Sequence, residues 1–313
     1  LVAAVAGAGV SLGLAAGFAR TTSPALIASL AAAASDVGQN YRDKCHRDVD
    51  DTDQPDCSHG DTAATRTVVL FGDSHAAQWF APLSIAARSE GWRLRAWTKT
   101  SCPSADVTIW HAARKAIYRA CDAWREHVLD RLTGPDRPDL VVVSNLVGYA
   151  GWIADPATGS ARGHRDSEAA WADGLRKTLE RLTSAGVRVV LIRDTPKAFK
   201  SFRKCLETGG GASCDRPRQQ ALARIPLDVE VASAFPGKIE VVDLSDRICG
   251  PTTCPLSMDG TLVYLDHHHI NATFASRFGP DLAEVLRRQA RPRQGTSRHD
   301  VPGGDPLDRT ERE

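Results

Sequence analysis

Ser74 closes the run Thr67-Val68-Val69-Leu70-Phe71-Gly72-Asp73-Ser74-His75, where a short β-branched, apolar stretch meets a Gly-Asp-Ser turn. The pattern predicts a buried strand over residues 67–71 that ends at Gly72 and hands over to a helix. In an open parallel sheet, ligands bind at the carboxyl ends of the strands. A serine placed there, at the start of a helix, has free N–H groups beside it that favour a developing negative charge. That is the setting for nucleophilic attack on an ester carbonyl. The competing reading is that Asp73 or Ser74 caps the helix, which these residue types often do.

A serine nucleophile needs a base, and the base needs an orienting group. Tyr264-Leu265-Asp266-His267-His268-His269-Ile270 supplies both near the far end of the chain. Asp266, three residues before His269 in a loop entering the last helix, can hold the imidazole tautomer while His269 takes the serine proton. Three successive histidines also raise a metal reading. Adjacent side chains diverge, however, and no carboxylate or cysteine cluster joins them, so no metal is expected. His267 and His268 are read as surface or core histidines.

These residues require an alternating frame. Trp92–Trp97, Asp139–Ser144, Val187–Ile192 and Lys238–Leu244 read as further strands. Helical patterns fall at His75–Ser89, Trp110–Leu132, Asp166–Ser184 and Asn271–Arg287. Strands alternating with helices predict a parallel sheet inside a three-layer α/β/α sandwich. Asp194-Thr195-Pro196 follows a strand end and borders the expected cleft without an assigned role. Trp92, Trp97, Trp110 and Trp124 read as packing residues, the rival being a sugar-binding face. Asn271-Ala272-Thr273 fits a glycosylation acceptor, but its place at a helix start favours capping.

The chain has 313 residues with Lys+Arg 39 against Asp+Glu 38, a net charge of +1. That balance gives no field to gather nucleic acid or anionic lipid, which removes both as main partners. Residues 1–19 are uncharged and rich in Ala and Gly, and Arg20 ends the run. About 19 apolar residues can just span a bilayer as a helix. Residues 1–20 are therefore expected to be a transmembrane helix or a signal-like segment, a buried Ala-rich helix being the alternative. Residues 21–65 read as a polar linker holding one cysteine pair, 66–290 as the catalytic domain, and 291–313 as a disordered tail.

Eight cysteines fall into neighbouring pairs: Cys45 and Cys57, Cys102 and Cys121, Cys205 and Cys214, Cys249 and Cys254. An even count in local pairs is the mark of a protein stapled in an oxidising compartment, so these four disulfides are expected outside the cytoplasm. Zinc is the rival, without a Cys-x-x-Cys knuckle to support it. Arg20 argues the other way, weakly, through the positive-inside rule.

The GDSH block after a strand, with D-x-x-H near the end of an α/β domain, resembles the SGNH (GDSL-like) hydrolase superfamily. More narrowly, the chain is similar to the SGNH domain fused behind membrane acyltransferase-3 proteins that O-acetylate cell-surface glycans. The likeness rests on VVLFGDSHAAQW (Val68–Trp79), KTSCP (Lys99–Pro103), CDAWR (Cys121–Arg125), PDLVVVSN (Pro138–Asn145), CGPTTC (Cys249–Cys254) and YLDHHHI (Tyr264–Ile270), and covers residues 65–286.

The resemblance implies an SGNH/flavodoxin-like fold with Ser74 as nucleophile, His269 as base and Asp266 as its orienter. It implies an oxyanion hole formed by the Ser74 N–H, a glycine N–H and Asn145, whose rival reading is a turn residue. Residues 92–133 contain no glycine, so a backbone N–H near Ser101 is the stand-in. It also implies a membrane acyltransferase domain ahead of this one, with residues 1–20 as its last transmembrane helix. That partner would use acetyl-CoA as acyl donor, and this domain would bind no cofactor of its own. The expected activity is acyl transfer, most often of acetyl, to a cell-surface glycan at the outer face of the cell membrane. Ester hydrolysis of a carbohydrate or lipid by the same triad is the first alternative, and a non-catalytic glycan-binding domain the second.

Overall fold

The structure, a computed structural model, describes residues 24–291 apart from 148, 150–151, 156–157, 210 and 223–225. The apolar segment 1–20 and residues 292–313 of the expected tail lie outside the described residues. Among the described residues no helix is long and apolar enough to cross a membrane.

Seven strands form the main sheet: β1 (His46–Arg47), β2 (Ser58–Gly60), β3 (Thr67–Gly72), β4 (Arg93–Lys99), β5 (Leu140–Ser144), β6 (Arg188–Ile192) and β7 (Ile239–Val242). Their order is β1-β4-β3-β5-β6-β7, with β2 also on β4, and every pairing is parallel except β2 with β4. For the five long strands this is the flavodoxin-like order, which reverses between β3 and β5. The crevice outside the carboxyl ends of those two strands is therefore where a ligand should sit. Ser74 follows β3 and Asn145 follows β5.

The strand sequences are apolar without a break because both faces are covered. Val68, Leu70, Val142, Val190 and Ile192 enter one core, beneath helices α3 (Phe80–Ser89) and α6 (Gly279–Ala290). Val69, Phe71, Val141, Val143, Val189 and Leu191 enter the other, beneath α4 (Arg119–Thr133) and α5 (His164–Ser184). The mixed α/β fold with a central parallel sheet flanked by helices is the one the alternation predicts.

Two stretches depart from the sequence reading. Residues 110–132, expected as one helix, begin as a hairpin that pairs Trp110–His111 with Ala116–Ile117, and Lys115 turns it at φ 51°. The helix starts only at Arg119. The part of the linker before β3 is woven into the domain. It supplies helix α1 (Pro24–Ala34), β1 and β2. Its polar composition hides how it is held, because the bonds run to its backbone. The buried Lys99 ammonium donates to the carbonyls of Val49 (3.1 Å), Asp51 (2.6 Å) and Asp48. Gln54 donates to the Cys45 carbonyl and accepts from the Trp124 indole at 3.0 Å.

The four disulfides join Cys45–Cys57, Cys102–Cys121, Cys205–Cys214 and Cys249–Cys254, and no described cysteine is free. Cys102 and Cys121 are fully buried and tie the loop after β4 to the start of α4. Replacing both by Ala is expected to cost about 3 kcal/mol on chain-entropy grounds. A fall in the urea midpoint with a steeper slope, as the freed unfolded chain expands, would show it.

Candidate active site

Gly72 ends β3 at φ 147°, and a Cβ there would stand 2.1 Å from the Ser144 carbonyl oxygen. No other residue lets the chain turn so close against β5. Asp73 then caps the single-turn helix α2 (Ser74–Ala77), its Oδ1 accepting from the His75 N–H at 2.8 Å. Its Oδ2 accepts from the Leu146 N–H (3.0 Å) and the Tyr149 hydroxyl (2.8 Å), locking the turn to the loop after β5. Capping thus falls to Asp73, and the Ser74 hydroxyl is left for other use. As the first helical residue, Ser74 has no intrahelical acceptor for its own N–H.

Ser74 Oγ lies 2.9 Å from His269 Nε2, and His269 Nδ1 lies 2.7 Å from Asp266 Oδ2. The other Asp266 oxygen accepts the backbone N–H groups of His268 and His269, both at 2.8 Å. Burial alone would raise the Asp266 carboxyl, but the His269 hydrogen bond and charge and the two N–H groups outweigh it. They hold it well below the usual carboxylate range, so it stays an acceptor for His269 Nδ1–H. The loop is fixed from both sides. Gln78 Oε1, on the Ser74 side, accepts from the Ile270 N–H at 2.9 Å. Asn271, 2% exposed, caps the next helix through the Phe274 N–H and donates to the Leu262 carbonyl. That leaves Asn271 a structural residue.

Asn145, just past β5, is buried. Its Oδ1 accepts from the Ser104 N–H at 2.7 Å, and its Nδ2 donates to Ser104 Oγ at 2.8 Å. Its other Nδ2–H meets no acceptor among the described residues. Ser101, in the turn after β4, adopts φ 51°, and its N–H meets no acceptor among the described residues.

Residues Asp36, Val37, Gly38 and Tyr41 line the cleft at Ser74 with Gln78, Leu265, His269, Ile270 and Ala272. The Asp36 carbonyl accepts from the Ala272 N–H (2.9 Å) and its carboxylate from the Thr273 N–H (2.8 Å). One wall of the site is therefore made by the segment expected to be a linker.

The chain matches the model of the SGNH domain fused to AT3 domains over residues 44–284. It belongs to that family. No curated protein matches it. Among solved structures it is similar to the periplasmic domain of a lipopolysaccharide acetyltransferase from Salmonella ser. Paratyphi A. The identity is 14% and the TM-score 0.52, over 72% of this chain and 85% of that one. A putative acylhydrolase from Bacteroides fragilis aligns at 17% identity and TM-score 0.43, over 74% of this chain and 91% of that one. The likeness to the Salmonella domain bears on the fold alone.

In this SGNH domain the sequence-level candidates Ser74, Asp266 and His269 form one hydrogen-bonded line. Trp92, Trp97 and Trp124 are core residues and Trp110 is half-buried, so the first three offer no sugar face. What sequence reasoning missed is the company His268 keeps. Its Nδ1 bonds to His75 Nε2 at 2.9 Å, and His75 Nδ1 bonds to Asp194 Oδ1 at 2.5 Å. The signals were present, since His75 follows Ser74 directly and Asp194 follows a strand end, but nothing local links residues 119 apart. The ring nitrogens of His75, His268 and His269 cluster tightly enough to suggest a metal. In this arrangement His75 bonds to Asp194 and His268, and His269 bonds to Ser74 and Asp266.

Proposed function

We propose that this SGNH domain is an extracytoplasmic O-acyltransferase that works through an acyl-Ser74 intermediate. The reading is carried by one observation, the Ser74 Oγ–His269 Nε2–Asp266 line at 2.9 Å and 2.7 Å. His269 Nε2 takes the hydroxyl proton as Ser74 Oγ forms its bond to the acyl carbon. Asp266 stabilises the imidazolium and keeps Nδ1 as the donor. The carbonyl oxygen becomes an oxyanion, for which the Ser74 N–H, the remaining Asn145 Nδ2–H and the Ser101 N–H are the donors. Losing one such donor typically costs about 100-fold to 1,000-fold in rate. His269 gives its proton to the leaving group, and the carbonyl re-forms as the acyl-Ser74 ester. In the second half His269 takes the proton of an incoming hydroxyl, whose oxygen bonds to the acyl carbon as Ser74 leaves and recovers a proton.

Fusion to AT3 domains across the family supports a membrane partner ahead of this domain. We take that partner to supply the acyl group, most often acetyl from acetyl-CoA, and a cell-surface glycan hydroxyl to be the acceptor. The four disulfides fit the outer side of the cell membrane. Ester hydrolysis is the second reading, favoured by the 42% exposure of the Asp266 side chain, which leaves water close to the triad. Product analysis with an aryl acetate and a surface polysaccharide separates the two. Acetylated polysaccharide formed at the expense of free acetate supports transfer. Acetate alone, at every acceptor concentration, supports hydrolysis.

A further inference from the structure

Behind the triad runs a second chain of hydrogen bonds that the acyl-transfer steps do not use. It starts at Asp194, a buried residue after β6. Its Oδ1 meets His75 Nδ1 at 2.5 Å, and its Oδ2 accepts from the Val147 N–H at 3.0 Å and lies 3.6 Å from Lys197 Nζ. Burial opposes a charge on Asp194, but His75, Lys197 and the Val147 N–H bring its carboxyl down to about 2. The nearby Asp228 carboxylate, which accepts the Asp194 N–H, is pushed up to about 6 by burial and by Asp194. An ionised Asp194 only accepts, so His75 Nδ1 must carry a proton.

That leaves His75 Nε2 to face His268 Nδ1 at 2.9 Å, with the two rings 6° from parallel. A nitrogen–nitrogen hydrogen bond holds one proton, neither none nor two. His75 is the neighbour of Ser74, and His268 the neighbour of His269. The bond therefore runs alongside the Ser74–His269 contact and joins the same two segments. The His268 ring lies 4.1 Å from that of His269 and 4.5 Å from that of His267, and its Nε2 is 3.8 Å from Asp266 Oδ1. Asp73 faces His75 through the backbone N–H it caps.

We infer that His75 and His268 form a one-proton latch that holds the loop bearing Asp266 and His269 in register with Ser74. Both are positioning residues, and the inference rests on the acyl-transfer reading of the site. When both rings are neutral, His268 Nδ1–H donates to His75 Nε2. One added proton is accommodated, since His75 then donates and His268 carries its proton on Nε2, towards Asp266. A second added proton sets two N–H groups against each other and opens the latch. Burial, then the neighbouring His269 and His75, push His268 down to about 3, so the closed form resists that second proton.

His268→Ala and His268→Asn in the purified chain test the latch. The Asn carboxamide can accept from or donate to His75 without titrating, and Ala can do neither. The Ala variant is expected to lose on the order of 10-fold to 100-fold in kcat for an aryl acetate, as misplaced reacting groups do. Its KM should change little, while its melting temperature should fall by a few degrees because the buried His75 Nε2 loses its partner. The Asn variant should recover most of the rate. Imidazole nitrogen NMR of the parent should show one proton coupled to a nitrogen of each ring. Wild-type kcat in His268→Ala at every pH, an equal loss in both variants, or no shared proton would each overturn the latch. A parent chain that does not turn over the aryl acetate would instead overturn the acyl-transfer reading, and the positioning role with it.

Discussion

Ser74→Ala is expected to abolish aryl-acetate turnover, lowering kcat by roughly 10⁴-fold to 10⁶-fold while leaving the fold intact. Among the described residues the hydroxyl bonds only to His269 Nε2, at 2.9 Å, so its loss strands no buried partner there. The capping bond that starts α2 comes from Asp73 and survives. Melting temperature and circular dichroism should therefore match the parent while product formation disappears. A variant that unfolds would show that Ser74 is needed for structure, and one that keeps its rate would remove it from the chemistry.

Asp266→Asn is the second large effect, expected to cost roughly 100-fold to 10,000-fold in kcat. The carboxylate accepts three N–H groups, from the His268 and His269 backbone and from His269 Nδ1. A carboxamide offers one oxygen and turns an NH₂ towards at least one of those donors. Turned towards His269, it selects the tautomer whose proton sits on Nε2, facing Ser74, where a lone pair is required. Turned towards the backbone, it disturbs the loop. The pH dependence of stability should change as well. The depressed Asp266 carboxyl contributes stability above its unfolded-state value, and that contribution fades as pH falls through the lower folded-state value. Asp266→Asn lacks it, so the gap in melting temperature between parent and variant should narrow towards acid pH.

Much of this site is legible in the sequence because it rests on local patterns. The strand ending at Gly72, the turn at Asp73-Ser74 and the three-residue step from Asp266 to His269 each state their own geometry. Strand alternation places Ser74 and Asn145 at the ends of β3 and β5, and the parallel order puts those ends side by side. The remainder depends on contacts between distant residues. Residues 36–60 are polar and Asp-rich, yet they edge the sheet because a buried lysine satisfies their carbonyls. Composition records side chains and is blind to that. The hairpin at 110–117 carries enough apolar residues at helical spacing to imitate the first turns of α4. His75 and His268 look incidental in sequence, and only the fold shows that they meet.

The most direct test of the central claim is to trap the acyl-enzyme. The parent chain is mixed with an aryl acetate, quenched in acid within the first turnovers and analysed by peptide mass spectrometry. The account predicts one acetyl group on the peptide containing Ser74, formed in the parent, absent from Ser74→Ala and slowed in Asp266→Asn. An acetyl group on another residue, or steady turnover in Ser74→Ala, would contradict it.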